Sequence, residues 1–322
     1  MIEKRSLATT LALALTIALT TLASGGRSAP ASATLEKRVI DVGGVSRTYY
    51  LYVPPRRAAG PTPLVLAFHG GGGTAEGMDR GAKGKITAAA AKRGWLVAFP
   101  EGVAKGWNDG RPLTAPRDAP RDGVDDVAFA KALIAELVAE DGVDGKRVYA
   151  TGASNGGFMT LRLAVDAADL VAAAGVVIAT HAEVIAGAAP ARPVPILFMD
   201  GTEDPIVPWG GGSVVIFGRS RGEVMSVDAT IAWWRERDRC PDAPPAVEAI
   251  PNRALLDGTR TTARTWGPCA EGSEVVLYEV AGGGHTMPGG TQYLPKALVG
   301  RVSRDFDGPE RIFAFFERHA LP

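Results

Sequence analysis

Arg147-Val148-Tyr149-Ala150-Thr151-Gly152-Ala153-Ser154-Asn155-Gly156-Gly157 is the stretch that decides the fold. A short strand-forming run enters a turn built from small residues, and a helix-like segment follows. A serine at the apex of such a turn projects its hydroxyl from the end of a sheet, and flanking glycines let other backbone segments pass close by. The spacing G-x-S-x-G is a weak signal alone in a chain with 40 glycines. A second stretch strengthens it. Leu64-Val65-Leu66-Ala67-Phe68 ends in His69-Gly70-Gly71-Gly72-Gly73, a loop type that offers backbone N–H groups to a developing oxyanion. Together they imply a nucleophilic serine acting on an acyl carbonyl.

Outward from these two stretches, short and nearly continuous apolar runs recur: Leu64 to Phe68, Leu96 to Phe99, Val148 to Ala150, Val176 to Ala179, Ile196 to Met199 and Val275 to Val280. Continuous apolarity marks strands buried on both faces, as in a parallel sheet covered by helices. Before them, Arg38 to Val42 and Thr48 to Val53 flank Gly43-Gly44 and read as an antiparallel pair. Helical patterns lie between the strands at Asp126 to Glu140, Gly156 to Ala168, Ser226 to Arg237 and Pro309 to His319, with Asp125 or Asp126 placed to cap the first. The alternation predicts a doubly wound α/β architecture, a mostly parallel sheet with antiparallel N-terminal strands. Pro112 to Arg121 and Gly210 to Gly222 read as long surface loops that would form a binding rim.

The 322 residues are 46% hydrophobic with a formal net charge of zero, which suits a large catalytic domain over 34–322 and gives no support for a nucleic-acid partner. Residues 1–33 read as a signal peptide. A basic start is followed by an apolar, threonine-dotted run from Leu7 to Ala23. Ala31-Ser32-Ala33 then offers a cleavage site, with Ala23-Ser24-Gly25 competing. A membrane anchor is the rival reading, but the run is short and interrupted for a span. A secreted chain, extracellular or periplasmic, with no stable membrane association after cleavage is therefore expected. The two cysteines, Cys240 and Cys269, favour a disulfide in an exported chain, against the alternative of two separate thiols. No Cys/His cluster has metal-ligand spacing, so neither a metal nor another cofactor is expected.

A serine hydroxyl needs a base, and the base needs an acid to hold its tautomer. In serine enzymes with this turn the three follow in the order Ser, acid, His, at successive strand ends. Of the four histidines, His69 precedes Ser154 and reads as positioning the glycine loop. His181 comes too early in the order and is assigned to the pocket lining; His319 lies in the terminal helix and reads as solvated. His285, in Gly282-Gly283-Gly284-His285-Thr286-Met287-Pro288, follows the last strong strand and is the preferred base. Three carboxylates compete for the acid beyond Ile196 to Met199: Asp200, Glu203 and Asp204. Asp204 is preferred because the stiff Pro205-Ile206-Val207-Pro208 segment would fix its direction. The N–H of Asn155 and one from the Gly71-Gly72 region are the candidate oxyanion donors. Trp107 and Trp209 follow strand ends and read as platforms for an aromatic or sugar substrate, with rim packing the rival reading; Trp233 and Trp234 read as core.

With these residues in view, the chain resembles the secreted α/β-hydrolases that include polyhydroxybutyrate depolymerases, feruloyl esterases and acetylxylan esterases. The matching stretches are His69 to Gly73, Gly106-Trp107-Asn108-Asp109-Gly110, Val124 to Val127, Thr151 to Gly157, Gly201-Thr202-Glu203-Asp204-Pro205, Ser226 to Thr230 with Trp233-Trp234, and Gly282 to Pro288. The resemblance implies an α/β-hydrolase fold, Ser154, Asp204 and His285 as catalytic triad, and a Cys240–Cys269 bridge. Two positions depart from the family pattern. Met287 stands where the histidine loop usually has tryptophan, so it is assigned to substrate binding, and Asp200 stands where histidine is commoner.

The expectation is an exported ester hydrolase acting through an acyl-enzyme on small aromatic or acetyl esters. A polyester depolymerase is the alternative, disfavoured for crystalline polymer because no Ser/Thr-rich linker or separate binding domain is visible. A carbohydrate-binding surface protein that kept the fold without the chemistry is the remote alternative.

Overall fold

The structure, a computed structural model, describes residues 34–111, 123–216 and 218–322. The leader reading and the Pro112 to Arg121 loop lie outside the described residues. The chain opens with β1 (Leu35–Val42), β2 (Val45–Tyr52) and β3 (Thr62–Phe68), then α1 (Ala75–Gly81), α2 (Lys85–Arg93) and β4 (Leu96–Pro100). It continues through α3 (Asp126–Glu140), β5 (Val143–Ala153), α4 (Asn155–Asp166), β6 (Ala173–Val177) and β7 (Ile196–Gly201). A hairpin of β8 (Gly212–Ile216) and β9 (Arg219–Val224) precedes α5 (Val227–Arg237), β10 (Ala246–Ala249), β11 (Arg260–Trp266) and β12 (Val275–Ala281). Two helices, α6 (Lys296–Val299) and α7 (Gly308–Phe316), close the chain.

Ten strands form one sheet in the order β1-β2-β4-β3-β5-β6-β7-β12-β11-β10. From β4 through β12 the neighbours are parallel, and β1, β2, β10 and β11 add antiparallel edges. This is an α/β-hydrolase fold. Alternate residues of β3 show why both faces are apolar. Val65 and Ala67 pack under α1, α2 and α7, while Leu64, Leu66 and Phe68 pack under α3 and α4. Helix starts follow the capping rule: Asp125 accepts from Ala128 N–H and Ser226 from Ala229 N–H. Asp126 is instead buried against Arg47 at 2.6 Å, so of the two capping candidates only Asp125 caps.

One expectation needs correction. Gly210 to Gly222 is no open loop but most of the β8–β9 hairpin, whose Val214 and Val224 are buried among the side chains of α5. Its glycines read as loop, whereas burial of the two valines favours the hairpin docked on the helix. The antiparallel β10–β11 edge has no sequence signal at β10, because all four of its residues are exposed and carry no apolar pattern. Among the described residues, no helix is long and apolar enough to cross a membrane.

Candidate functional site

Parallel strands β5, β7 and β12 end on the same edge of the sheet, which is how three residues far apart in sequence reach one place. At the end of β5, Ser154 has φ +56° and ψ −120°, a left-handed conformation costly for a residue with a Cβ. Glycines make the turn possible. A Cβ on Gly152 would lie 2.2 Å from the Gly156 carbonyl oxygen, and one on Gly156 would lie 2.1 Å from that of Phe68. The turn is tied down by Ser154 N–H donating to Val177 O at 2.9 Å and by Phe158 N–H donating to Ser154 O at 2.9 Å. The Ser154 hydroxyl makes no capping bond to its own helix, so it is left for other chemistry.

Beyond β12, Gly284 passes so close to Val299 that a Cβ would meet the Val299 carbonyl at 2.2 Å, and His285 N–H then donates to that oxygen at 2.6 Å. Tyr293 donates its hydroxyl to His285 O at 3.1 Å. So held, the buried His285 ring places Nδ1 2.7 Å from Asp204 Oδ2. The other carboxylate oxygen of Asp204 accepts N–H bonds from Ile206 at 2.8 Å and Val207 at 2.9 Å. An ionised carboxylate can only accept, so Nδ1 carries the proton and Nε2 presents a lone pair. Glu203 points elsewhere, to Arg301 at 2.6 Å. Asp200 is buried, and burial first, then the neighbouring Asp204 charge, raises its carboxyl well above the usual range. Of the three competing carboxylates, Asp204 alone meets the imidazole.

The glycine loop is organised by His69. Its Nε2 accepts from Gly102 N–H at 3.0 Å and its Nδ1 lies 2.8 Å from Gly70 O. Burial lowers its pKa, keeping the ring neutral with the proton on Nδ1. Within the loop the donors divide. Gly72 N–H is spent on Lys105 O at 2.7 Å, so of the two glycines proposed as donors Gly72 is ruled out. Gly71 sits against Asn155, where an added Cβ would lie 3.6 Å from the Asn155 Cβ, and its N–H makes no described hydrogen bond. Asn155 opens α4, whose first N–H groups have no partner within the helix.

The residues assigned to substrate binding fare differently. Trp107 is only 1% exposed, edge-on to Phe68 at 5.1 Å, with its indole N–H donated to His69 O at 2.8 Å; it braces the glycine loop and presents no face to a ligand. His181 is 0% exposed and lies on Trp233 at 4.1 Å, its pKa pushed down to about 4 chiefly by burial; it too is packing. Trp209 and Met287 are half-buried and keep part of their surface open. His319 is not solvated: it pairs with Glu274 at 3.0 Å and packs on Phe315. Cys240 and Cys269 form a disulfide. Among the described residues, no group of three or more His, Cys, Asp or Glu is placed to hold a metal ion. Sequence reasoning missed Asp109, which bonds the Asn155 side chain, and Arg111, which pairs with Asp109; the only signal was the Gly106 to Gly110 stretch, matched as a family pattern without a role.

Residues 47–227 match the family described as esterase PHB depolymerase. The putative esterase NocK of Nocardia uniformis subsp. tsuyamanensis is 35% identical over 287 residues, 85% of this chain and 80% of that protein. Feruloyl esterase B of Piromyces equi is 32% identical over 231 residues, 69% of this chain but 39% of its own length. The solved acetyl xylan esterase of Aspergillus awamori superposes with TM-score 0.54 at 17% identity over 79% of this chain and 95% of that one, a likeness of fold.

Proposed function

Because this chain belongs to the esterase PHB depolymerase family and is a carboxylic ester hydrolase, we propose that it works through a Ser154–His285–Asp204 triad and an acyl-enzyme on small aromatic or acetyl esters. The observation carrying this reading is the His285–Asp204 pair at 2.7 Å, on the sheet edge where the strained turn holds Ser154. In the reaction, His285 Nε2 takes the Ser154 proton as Oγ attacks the carbonyl carbon. Asp204 holds the resulting imidazolium through Nδ1–H. The N–H groups of Asn155 and Gly71 receive the negative oxygen of the tetrahedral intermediate. Its collapse breaks the ester C–O bond, and the imidazolium proton goes to the departing alkoxide. Water, deprotonated by His285, then cleaves the acyl-enzyme and releases the acid.

Half-buried Trp209 and Met287 flank Asp204 and His285 in sequence and leave apolar surface for a small acyl or aryl group. The polyester alternative draws on one feature, the exposed Tyr293 and Leu294 on the loop after His285 with the exposed Leu298 of α6, an apolar rim suited to a hydroxyalkanoate chain. Residues 34–322 make up the catalytic domain in this reading, and the leader and disulfide together suggest export.

Ser154→Ala should abolish p-nitrophenyl acetate turnover and fluorophosphonate labelling of folded protein; labelling at full stoichiometry would refute the nucleophile. Comparing kcat/KM for methyl ferulate, acetylated xylan and hydroxybutyrate oligomers separates the substrate readings, and turnover of the oligomers alone would install the polyester one. N-terminal sequencing of protein from culture medium should begin near Thr34; a chain retained with Met1 would overturn export.

A further inference from the structure

Asn155 contributes more than a backbone N–H. Its side-chain Oδ1 accepts from Trp107 N–H at 2.8 Å, and its Nδ2 donates to Trp107 O at 3.2 Å and to Asp109 Oδ2 at 2.6 Å. Both amide hydrogens are used, and the Trp107 N–H settles which end of the amide is oxygen. The Asp109 carboxylate is in turn gripped by Arg111: Nη2 reaches Oδ2 at 2.5 Å, and the Arg111 Nε and backbone N–H reach Oδ1 at 3.1 Å each. The Arg111 guanidinium lies 3.6 Å over the ring of Phe158. Phe158 belongs to the first turn of α4, and its N–H holds Ser154 O. The path from Asn155 through Asp109, Arg111 and Phe158 therefore returns to the helix turn it left.

We propose that Asp109, locked by Arg111, is a positioning residue that aims the Asn155 N–H at the oxyanion. The inference rests on the serine-esterase reading above. A backbone N–H points wherever the flanking dihedrals direct it, and at position 155 these follow a residue already strained at φ +56°. Nothing inside α4 restrains the first residue, since its N–H precedes the helical ladder. Clamping its side chain at two points does so from outside. The acceptor is an ionised carboxylate, and charge-assisted bonds are shorter and stiffer than neutral ones. Burial of Asp109 keeps water from competing for Asn155 Nδ2. Arg111 serves a second end: its Nη1 donates to Arg221 O at 3.3 Å, so the same ion pair anchors the β8–β9 hairpin.

A donor that has drifted by a fraction of an ångström still allows substrate to bind but stabilises the tetrahedral oxygen less, so the loss must appear in kcat. Asp109→Ala, Asp109→Asn and Arg111→Lys should be measured with p-nitrophenyl acetate for kcat, KM and Tm, and with phenylboronic acid as a tetrahedral mimic for Ki. Asp109→Ala should lower kcat by roughly 10- to 100-fold with KM within about twofold, and the boronate Ki should rise in step with the loss in kcat/KM. Arg111→Lys, which keeps a cation beside Asp109, should lose less kcat than Asp109→Ala. If Asp109→Ala does not fold, Asp109→Asn carries the test, because it keeps the shape and removes only the charge. A folded Asp109 variant with kcat within about threefold of the parent, or a loss confined to KM, would overturn the proposal. Ser154→Ala run alongside separates the two failures: residual turnover there refutes the nucleophile, whereas an inactive Ser154→Ala beside an unimpaired Asp109 variant refutes only the positioning role.

Discussion

Replacing Asp204 by asparagine tests the proposed chemistry at one proton. In the structure Oδ1 of Asp204 holds the N–H groups of Ile206 and Val207 at 2.8 and 2.9 Å, and Oδ2 receives His285 Nδ1–H at 2.7 Å. An amide of the same shape must keep its oxygen on the two backbone donors, because an NH2 facing them would leave three buried hydrogens opposed. The new Nδ2–H then faces His285 Nδ1, which must become the acceptor. That moves the imidazole proton to Nε2, the atom that should take the Ser154 proton. Folding is little disturbed, since only one contact changes partner and both backbone bonds survive; a cost of about 1–2 kcal/mol is expected. Activity should fall by about ten-thousand-fold, the scale for a triad histidine trapped in the wrong tautomer. The assay is single-turnover acylation by p-nitrophenyl acetate, with Tm measured on the same samples. Asp200→Asn is the matched comparison, because burial already disfavours the charged form of Asp200; it should act within about threefold of the parent. A fall of less than about tenfold for Asp204→Asn, or a larger fall for Asp200→Asn, would refute the reasoning.

Three further outcomes follow from the structure. Gly156→Ala should cost about 3 kcal/mol or more, because its Cβ would sit 2.1 Å from a backbone oxygen that cannot move aside; a Tm within two or three degrees of the parent would contradict the close approach. Asp238 is pushed up to about 7, mainly by burial, so the folded protein holds its proton where the unfolded chain, near 3.9, does not. The stability this contributes is complete below about pH 4, falls as pH rises and is lost by about pH 7; Asp238→Asn should flatten the decline in urea midpoint from pH 5 to 8, and identical slopes would count against it. Opening the Cys240–Cys269 bridge, which joins residues 29 apart, should lower the unfolding free energy by about 4 kcal/mol, readable as a lower guanidinium midpoint after reduction; recovery of two alkylatable thiols from the native protein would dismiss the bridge.

What was legible in the sequence is what depends on neighbours along the chain or on burial of both faces. The runs Leu64 to Phe68 and Val275 to Val280 are apolar at every position because helices cover each side, and they appear as β3 and β12. The strand–turn–helix at Ser154 was readable because glycines at 152 and 156 answer a local steric demand. The misreadings involve partners distant in sequence. Trp107 follows a strand end, as a substrate platform would, but its neighbours are Phe68 and His69, and no local pattern announces that. His319 reads as solvated in the sequence because its partner Glu274 lies 45 residues away. Gly72 and Gly71 look equivalent in the sequence; the distinction is made by Lys105 O, presented by a turn in which Ala104 and Lys105 both have positive φ. The β8–β9 hairpin was hidden because glycine content signals loops on average, while two buried valines decide this case.

Strain shows why the site and the core cannot be separated. Ser154 at φ +56° has a companion on the adjoining strand end, Ile178 at φ +50°, a conformation a β-branched side chain adopts only under constraint. The two are coupled through one peptide: Val177 O accepts from Ser154 N–H, and the next N–H, that of Ile178, donates to Met199 O at 2.9 Å. Each strained residue costs about 1–3 kcal/mol, which persists only where the surroundings leave the chain no alternative. Here those surroundings are the buried β5, β6 and β7 interior and the side chain of Ile178 itself, packed into the core beneath α7. Relaxing Ile178 would shift Val177 O and release the N–H that aligns Ser154. The direction of the proposed nucleophile is thus maintained by the packing of β6 as much as by the glycines of its own turn, and a substitution that loosens that packing would act on the proposed chemistry through the backbone without touching a triad side chain.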